Sequence, residues 1–316
     1  MRREEVLGMF PEHMRGRWKT VAEHADSLQE IRLRVGRPAA VLIDHREWFV
    51  DAAGILVDMP PQTAACKPEE LEALIRHLCQ YSVYAFADEI RQGFLTIQGG
   101  HRVGLAGQVI LEDDNKIRNL KYIRYLNIRI AHEIKGVSDT LLSNLYDDRG
   151  SFYNTLLISP PGCGKTTMLR DLVRNLSNGN AYGKGMNVSV VDERSEIAGS
   201  YLGAAQNDVG IRTDVLDGCP KREGMMMLIR AMAPQVLAVD ELGSDSDIQA
   251  LQMASGCGCK LLATVHGSSL DEIKQKNYMC NVMLDRLFER YLVLTRKNGC
   301  CEVEGIYDGD GERCLK

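Results

Sequence analysis

Apolar residues follow two different rhythms along this chain. From Gln29 to Val35, Ile31, Leu33 and Val35 alternate with Arg32 and Arg34, the period of a strand with one buried face. Ala39 to Ile43 answers it across Gly36-Arg37-Pro38, so a hairpin is predicted. Pro68 to Gln80 carries Leu71, Leu74, Ile75 and Leu78 at helical spacing. Arg91-Gln92-Gly93-Phe94 leads a strand, and Gly99-Gly100-His101-Arg102 turns into Val103-Gly104-Leu105. This rhythm predicts an α+β domain over residues 1–136.

The second rhythm starts near residue 152. Thr155-Leu156-Leu157-Ile158 is an almost unbroken apolar run, as in strands buried on both faces of a parallel sheet. Met168, Leu169, Leu172, Val173 and Leu176 then form one helical stripe. Further strands are predicted at Val188 to Val191, Val236 to Val239 and Lys260 to Val265. Tyr291 to Arg296 and Cys301 to Tyr307 close the chain as a hairpin around Lys297-Asn298-Gly299. Gln206 to Gly224, with Gly210, Asp217-Gly218, Pro220 and Gly224, has little periodicity and reads as a mobile loop. Ser138 to Gly150 reads as a linker helix and turn, which sets a linker at 137–151 and a second domain at 152–316.

Between the run ending at Ile158 and the stripe starting at Met168 stands Ser159-Pro160-Pro161-Gly162-Cys163-Gly164-Lys165-Thr166-Thr167. A turn this tight aims successive N–H groups at one anion, and Gly162 and Gly164 stand where a Cβ would intrude. Lys165 can reach β- and γ-phosphates, Thr166 can ligate Mg²⁺, and the helix adds its positive dipole end. The pattern is that of a phosphate loop, with Ser159 where the strict form has Gly. The second domain is therefore expected to be an α/β P-loop NTPase of the RecA-like kind, with a mostly parallel sheet, that binds ATP and Mg²⁺.

Acids end two of the other strands: Asp192-Glu193-Arg194 follows Val191, and Asp240-Glu241 follows Val239. Strand C-termini are where open α/β sheets hold ligands. Asp240 is expected to join the Mg²⁺ shell through water, and Glu241 to orient or deprotonate the attacking water. Asp192 or Glu193 could share that task, and a charged helix cap after a buried strand is the plainer reading of Asp240-Glu241. The third strand ends in His266-Gly267, where an imidazole can sense a γ-phosphate or can be an ordinary surface His. Arg212, Arg222 and Arg230 are further cations available to a phosphate or a neighbouring subunit.

Composition narrows the partners. The 316 residues are 45% hydrophobic and 6% aromatic, as in an ordinary α/β protein with room for two cores. A net charge of −5 argues against nucleic acid as the main ligand. Lys116 to Lys135 does hold Lys116, Arg118, Lys121, Arg124, Arg129 and Lys135 against the single acid Glu133, a solvated face or an anion-binding one. No apolar stretch follows Arg2-Arg3-Glu4-Glu5 and no run approaches a membrane span, so the protein is expected to stay in the compartment where it is made. The ten cysteines read as reduced thiols, since neither Cys257-Gly258-Cys259 nor Cys300-Cys301 has zinc-site spacing. Cys163 is a small residue of the phosphate loop that alkylation would block.

Gln92-Gly93-Phe94, Gly99-Gly100-His101-Arg102-Val103-Gly104, Asn127-Ile128-Arg129-Ile130-Ala131, the run Val191 to Gly199, Asp240-Glu241 and Thr264-Val265-His266-Gly267 together resemble the stage III sporulation protein AA family, over most of the chain from about Glu30. That family is similar to the ATPases of type II and type IV secretion and of pilus retraction. The resemblance implies a homo-hexameric motor in the cytoplasm of the mother cell of an endospore former. It would be held at the membrane through a partner and would energise the membrane-embedded channel proteins between mother cell and forespore. Asp192-Glu193 falls in the acidic box of those motors, His266 in their His box, and Arg129 near an arginine of the first domain that approaches the nucleotide on closure. Asp240 stands where secretion motors often carry Gly. A nucleic-acid-directed P-loop ATPase or loader is the alternative reading, and a small-molecule kinase ranks behind both.

Overall fold

The computed structural model describes residues 3–112, 117–279, 282–283, 285–297 and 300–314. The chain divides into two compact units, Met1–His132 and Glu133–Lys316.

The first unit is one antiparallel sheet with, among the described residues, four short helices, of which two pack against its strand β7 (Ile117–Arg129). Its strands are β1 (Leu28–Arg34), β2 (Ala39–Ile43), β3 (Arg46–Val50), β4 (Leu56–Val57), β5 (Phe94–Ile97), β6 (His101–Leu111) and β7 (Ile117–Arg129), in the order β4-β3-β2-β1-β7-β6-β5. Its helices are α1 (Arg3–Gly8), α2 (Lys19–Glu23), α3 (Pro68–Leu78) and α4 (Ala87–Gln92). The expected hairpin is present, with Ile31 opposite Val41 and Arg32 opposite Ala40. Ile31, Leu33, Val41, Val103 and Ile128 are buried together with Leu71 and Leu74 of α3, while Arg32 and Arg34 face outward, as alternation dictates. Arg91 and Gln92 close α4 rather than open a strand, because Gly93 takes a left-handed φ of 83° and ends the helix.

The second unit has a seven-stranded sheet and helices on both faces. Its strands are β8 (Thr155–Ser159), β9 (Val188–Asp192), β10 (Thr213–Asp217), β11 (Val236–Leu242), β12 (Lys260–His266), β13 (Arg290–Lys297) and β14 (Cys300–Asp308). The order is β10-β9-β11-β12-β8-β13-β14, parallel throughout except for the β13/β14 hairpin. Asn298 and Gly299, the expected hairpin turn, lie outside the described residues. The helices are α5 (Lys165–Asn178), α6 (Lys221–Met232), α7 (Asp245–Gly256) and α8 (Leu270–Lys274). Leu156, Leu157, Ile158, Val188, Val190, Leu237 and Val239 are fully buried, as a sheet covered on both faces requires.

Two expectations are corrected here. The stretch from Gln206 to Gly224 is not a mobile loop: Thr213 to Asp217 pairs residue for residue with Val188 to Asp192, and α6 begins at Lys221. Its edge strand Thr-Asp-Val-Leu-Asp is only half-buried, so it shows no apolar run in the sequence. Residues 137–151 are not a free linker either. Leu141, Leu142, Leu145 and Tyr146 pack into one core with Leu169, Leu172 and Leu176 of α5. The Asp171 carboxylate fastens the segment from below, accepting hydrogen bonds from the backbone N–H of Gly136 (3.0 Å) and Ser138 (2.9 Å) and from the Ser138 hydroxyl (2.7 Å).

Candidate active site

The site begins where β8 runs into α5. Gly162 (φ 72°) and Gly164 (φ 83°) both sit in the left-handed region, which an L side chain would strain. Gly162 has open space where a Cβ would go, so its backbone angle alone demands glycine. Gly164 is needed twice over, because an added Cβ would lie 3.0 Å from the Cβ of Cys301. Pro160 and Pro161 have no N–H, so the donors that converge on the loop's concavity start at Gly162. Ser159, the departure from the strict pattern, is buried, and its hydroxyl donates to the Pro160 carbonyl at 2.8 Å, closing the turn from within. Cys163 is buried and Thr167 half-buried at the first turn of α5.

Lys165 opens α5 with its side chain only 5% exposed. Its ammonium makes no hydrogen bond. It lies 3.8 Å from Oδ1 of Asp240 and 3.5 Å from Oε1 of Glu241. Burial pulls its pKa below the ordinary lysine value, against the opposing pull of those two carboxylates. Thr166 donates its hydroxyl to Oδ2 of Asp240 at 2.8 Å, and Thr264 donates to Oδ1 of the same group. Asp240 is thus bracketed by two threonines and fixed in direction.

Glu241 gathers three cationic or protonated partners. Arg194 donates to Oε2 at 2.8 Å, and Lys165 stands at 3.5 Å. His266 lies with Nε2 3.0 Å from Oε1, and since a carboxylate only accepts, Nε2 carries the proton. Burial alone would raise the Glu241 pKa, but Lys165, Arg194 and His266 outweigh it and hold the carboxyl below the usual glutamate value. Nδ1 of His266 is buried without a hydrogen-bond partner.

The other acid pair behaves differently. Asp192 is 2% exposed, and its oxygens accept the backbone N–H groups of Glu196 (2.9 Å), Ile197 (3.0 Å) and Ala198 (2.8 Å). Burial pushes its pKa up to about 6 despite those bonds. Glu193 is ion-paired with Lys221 at the start of α6. Lys165, Thr166, Asp240, Glu241 and His266 form one contact cluster; Asp192 and Glu193 line a small cavity with Asp240 and Glu241, but their own bonds go to the loop after β9 and to α6. Arg129 lies exposed on β7 of the first unit, opposite Glu30 on one neighbour and Arg102 on the other. Two participants were not singled out from sequence: Thr264 and Arg194. Thr264 had a signal, since it precedes His266 by two residues and strand alternation puts both on one face.

The chain shares its fold with a pilus retraction motor and with an ATPase of known structure. It superposes on the pilus retraction motor PilT with bound ADP at a TM-score of 0.57, with 14% identity, covering 91% of this chain and 81% of that one. It matches the ATPase DotB of Legionella pneumophila at 0.54, with 15% identity over 91% and 79% of the two chains. Residues 1–314 match the family described as sporulation stage III, protein AA. The chain belongs to that family, and it is 39% identical over 308 residues to the stage III sporulation protein AA of Bacillus subtilis (strain 168), covering 97% of this chain and 95% of that protein.

Proposed function

We propose that the second unit binds ATP with Mg²⁺ and hydrolyses it, and that the chain works as a motor for a channel complex of sporulation. The observation that carries the reading is the Lys165 ammonium, buried and without a hydrogen bond, at the mouth of a loop bent by two left-handed glycines. The Asp240 and Glu241 carboxylates balance its charge from 3.8 and 3.5 Å but leave its N–H donors without hydrogen bonds, so a phosphate can take them, and the helix end behind it favours an anion. Thr166 and Asp240 would hold Mg²⁺, the latter through water, and the ion when bound would offset charge on the β- and γ-phosphates.

Within this reading Glu241 is the group that orients and deprotonates water. Its carboxylate stays ionised at neutral pH, because its pKa is held down. His266 donates to it and so couples it to the end of β12. Asp192 is engaged by three N–H groups and Glu193 by Lys221, whereas Glu241 lies beside Lys165. The motor role draws on family membership and on the fold shared with a pilus retraction motor. By the same argument the working form is a homo-hexamer in the mother-cell cytoplasm, reaching membrane-embedded channel proteins through its surface. Among the described residues no helix is long and apolar enough to cross a membrane.

Lys165→Ala tests the site. Fluorescent-nucleotide titration and steady-state ATPase assays should show weakened ATP binding and no turnover in a folded protein. Hydrolysis by the variant at the parental rate would mean that the site is misplaced.

A further inference from the structure

Consecutive residues of a strand point to opposite faces of its sheet, so Asp240 and Glu241 should not be able to serve one site. Yet their carboxylates lie 3.8 and 3.5 Å from the same ammonium. The β11/β12 register explains how. Val239 pairs with Ala263 and Leu242 with Val265, so two residues of β11, Asp240 and Glu241, oppose Thr264 alone. This is a bulge, and Glu241 completes it with a left-handed φ of 57°, a conformation that glutamate does not favour. A bulge also strips the chain of ladder hydrogen bonds. Here the Glu241 N–H finds its partner in a side chain, donating to Oγ1 of Thr264 at 2.8 Å, while the hydrogen of that same hydroxyl goes to Oδ1 of Asp240.

We propose that Thr264 is the positioning residue of this site: its hydroxyl stitches the bulge that lets two adjacent carboxylates face the phosphate loop together. The proposal rests on the nucleotide-site reading above. Thr264 is fully buried, so water cannot substitute for its hydroxyl. Serine would keep both hydrogen bonds. Valine would keep the shape and lose both.

The test compares Thr264→Val and Thr264→Ser with the parent. Fluorescent ATP titrations with Mg²⁺ and in EDTA measure how much the metal strengthens nucleotide binding, and steady-state assays separate kcat from KM. Thr264→Val should bind ATP in EDTA as the parent does but lose about 10–100-fold of the Mg²⁺-dependent gain, as removal of an outer-shell partner does. Its kcat should fall with KM little changed, and Thr264→Ser should restore both. A Thr264→Val protein with parental Mg²⁺ dependence and kcat would overturn the proposal. So would a Thr264→Ser protein as impaired as the valine variant, since the methyl group rather than the hydroxyl would then matter. A parent that binds no ATP under either condition would refute the site reading itself, and the proposal with it.

Discussion

Replacing Asp192 by Asn separates an acid that anchors a loop from one that does chemistry. Oδ2 of Asp192 accepts the N–H of Ile197 and of Ala198, both of which are fully buried, while Oδ1 serves the exposed Glu196. An amide with its oxygen in the Oδ2 position keeps the two inner bonds and gives up only the outer one, which water can replace. What changes is charge. Burial raises the folded-state pKa from an ordinary 3.8 to about 6, so the native state holds this proton where the unfolded chain has released it. The stability this contributes is complete below pH ~4 and is lost as pH rises through about 6; at 1.36 kcal/mol per unit the loss is about 3 kcal/mol. Asparagine cannot titrate. The difference in unfolding free energy, parent minus variant, should therefore fall by about 2 kcal/mol between pH 4 and pH 7. Taking the difference removes the opposing contribution of depressed carboxylates such as Asp171, Asp208 and Glu241, common to both proteins. Urea unfolding followed by far-ultraviolet circular dichroism is the assay, because both tryptophans, Trp18 and Trp48, lie in the first unit and would not report on β9. A flat difference, or one rising with pH, would show that the three N–H bonds prevail over burial and refute the reasoning. ATP turnover within a few-fold of the parent should accompany the stability change. Loss of turnover on the scale of a missing general base would instead put Asp192 among the catalytic groups.

Glu241→Gln should retain ATP affinity and lose kcat by about 10²–10⁴-fold, the usual contribution of a general base, with ATP trapped on the protein. Lost affinity with an unchanged rate at saturation would rule this role out. Arg129→Ala should lower kcat by up to ~10³-fold with an unchanged melting temperature, as loss of an arginine finger does. Unchanged turnover would leave the first unit as a docking module, and a large fall in melting temperature would make Arg129 structural. Size-exclusion chromatography with light scattering should show a hexamer in ATP and Mg²⁺, and a monomer under every condition would contradict the motor reading.

The apolar periodicity made most of the second unit legible. Strands β8, β9, β11 and β12 are buried on both faces and so appear as short, largely apolar runs that lead into Ser159, Asp192, Asp240 and His266. β10 escaped because an edge strand is half-exposed and its Thr-Asp-Val-Leu-Asp carries no such run. The 137–151 segment looked like a linker because its leucines are set in a short 3₁₀ turn, Asp139–Asn144, without the repeat of a longer helix. The phosphate loop was legible because its glycines meet a local backbone demand that sequence states directly. The bulge at Asp240-Glu241 was not, since it depends on how β11 registers against β12 some 24 residues later.

Strand order also sets the two acid pairs apart, though they look alike as Asp-Glu dipeptides after buried strands. In a parallel sheet all C-terminal ends lie along one edge, so residues as distant as Ser159 and His266 become direct neighbours. The order β9-β11-β12-β8 puts the Asp240 strand two positions from β8 and the Asp192 strand three. At about 4.8 Å per strand these are about 10 and 14 Å. A lysine at the first residue of α5 reaches the nearer pair, as the 3.5 and 3.8 Å contacts show. Asp192 lies one strand beyond, and its hydrogen bonds go instead to the turn after β9. β12 occupies the interval between β11 and β8. Thr264 and His266 are then the side chains placed to touch both the acids and the phosphate-loop edge, and each contacts Asp240 or Glu241. The roles proposed for the two acid pairs therefore follow from the strands that carry them, since the dipeptides themselves are identical.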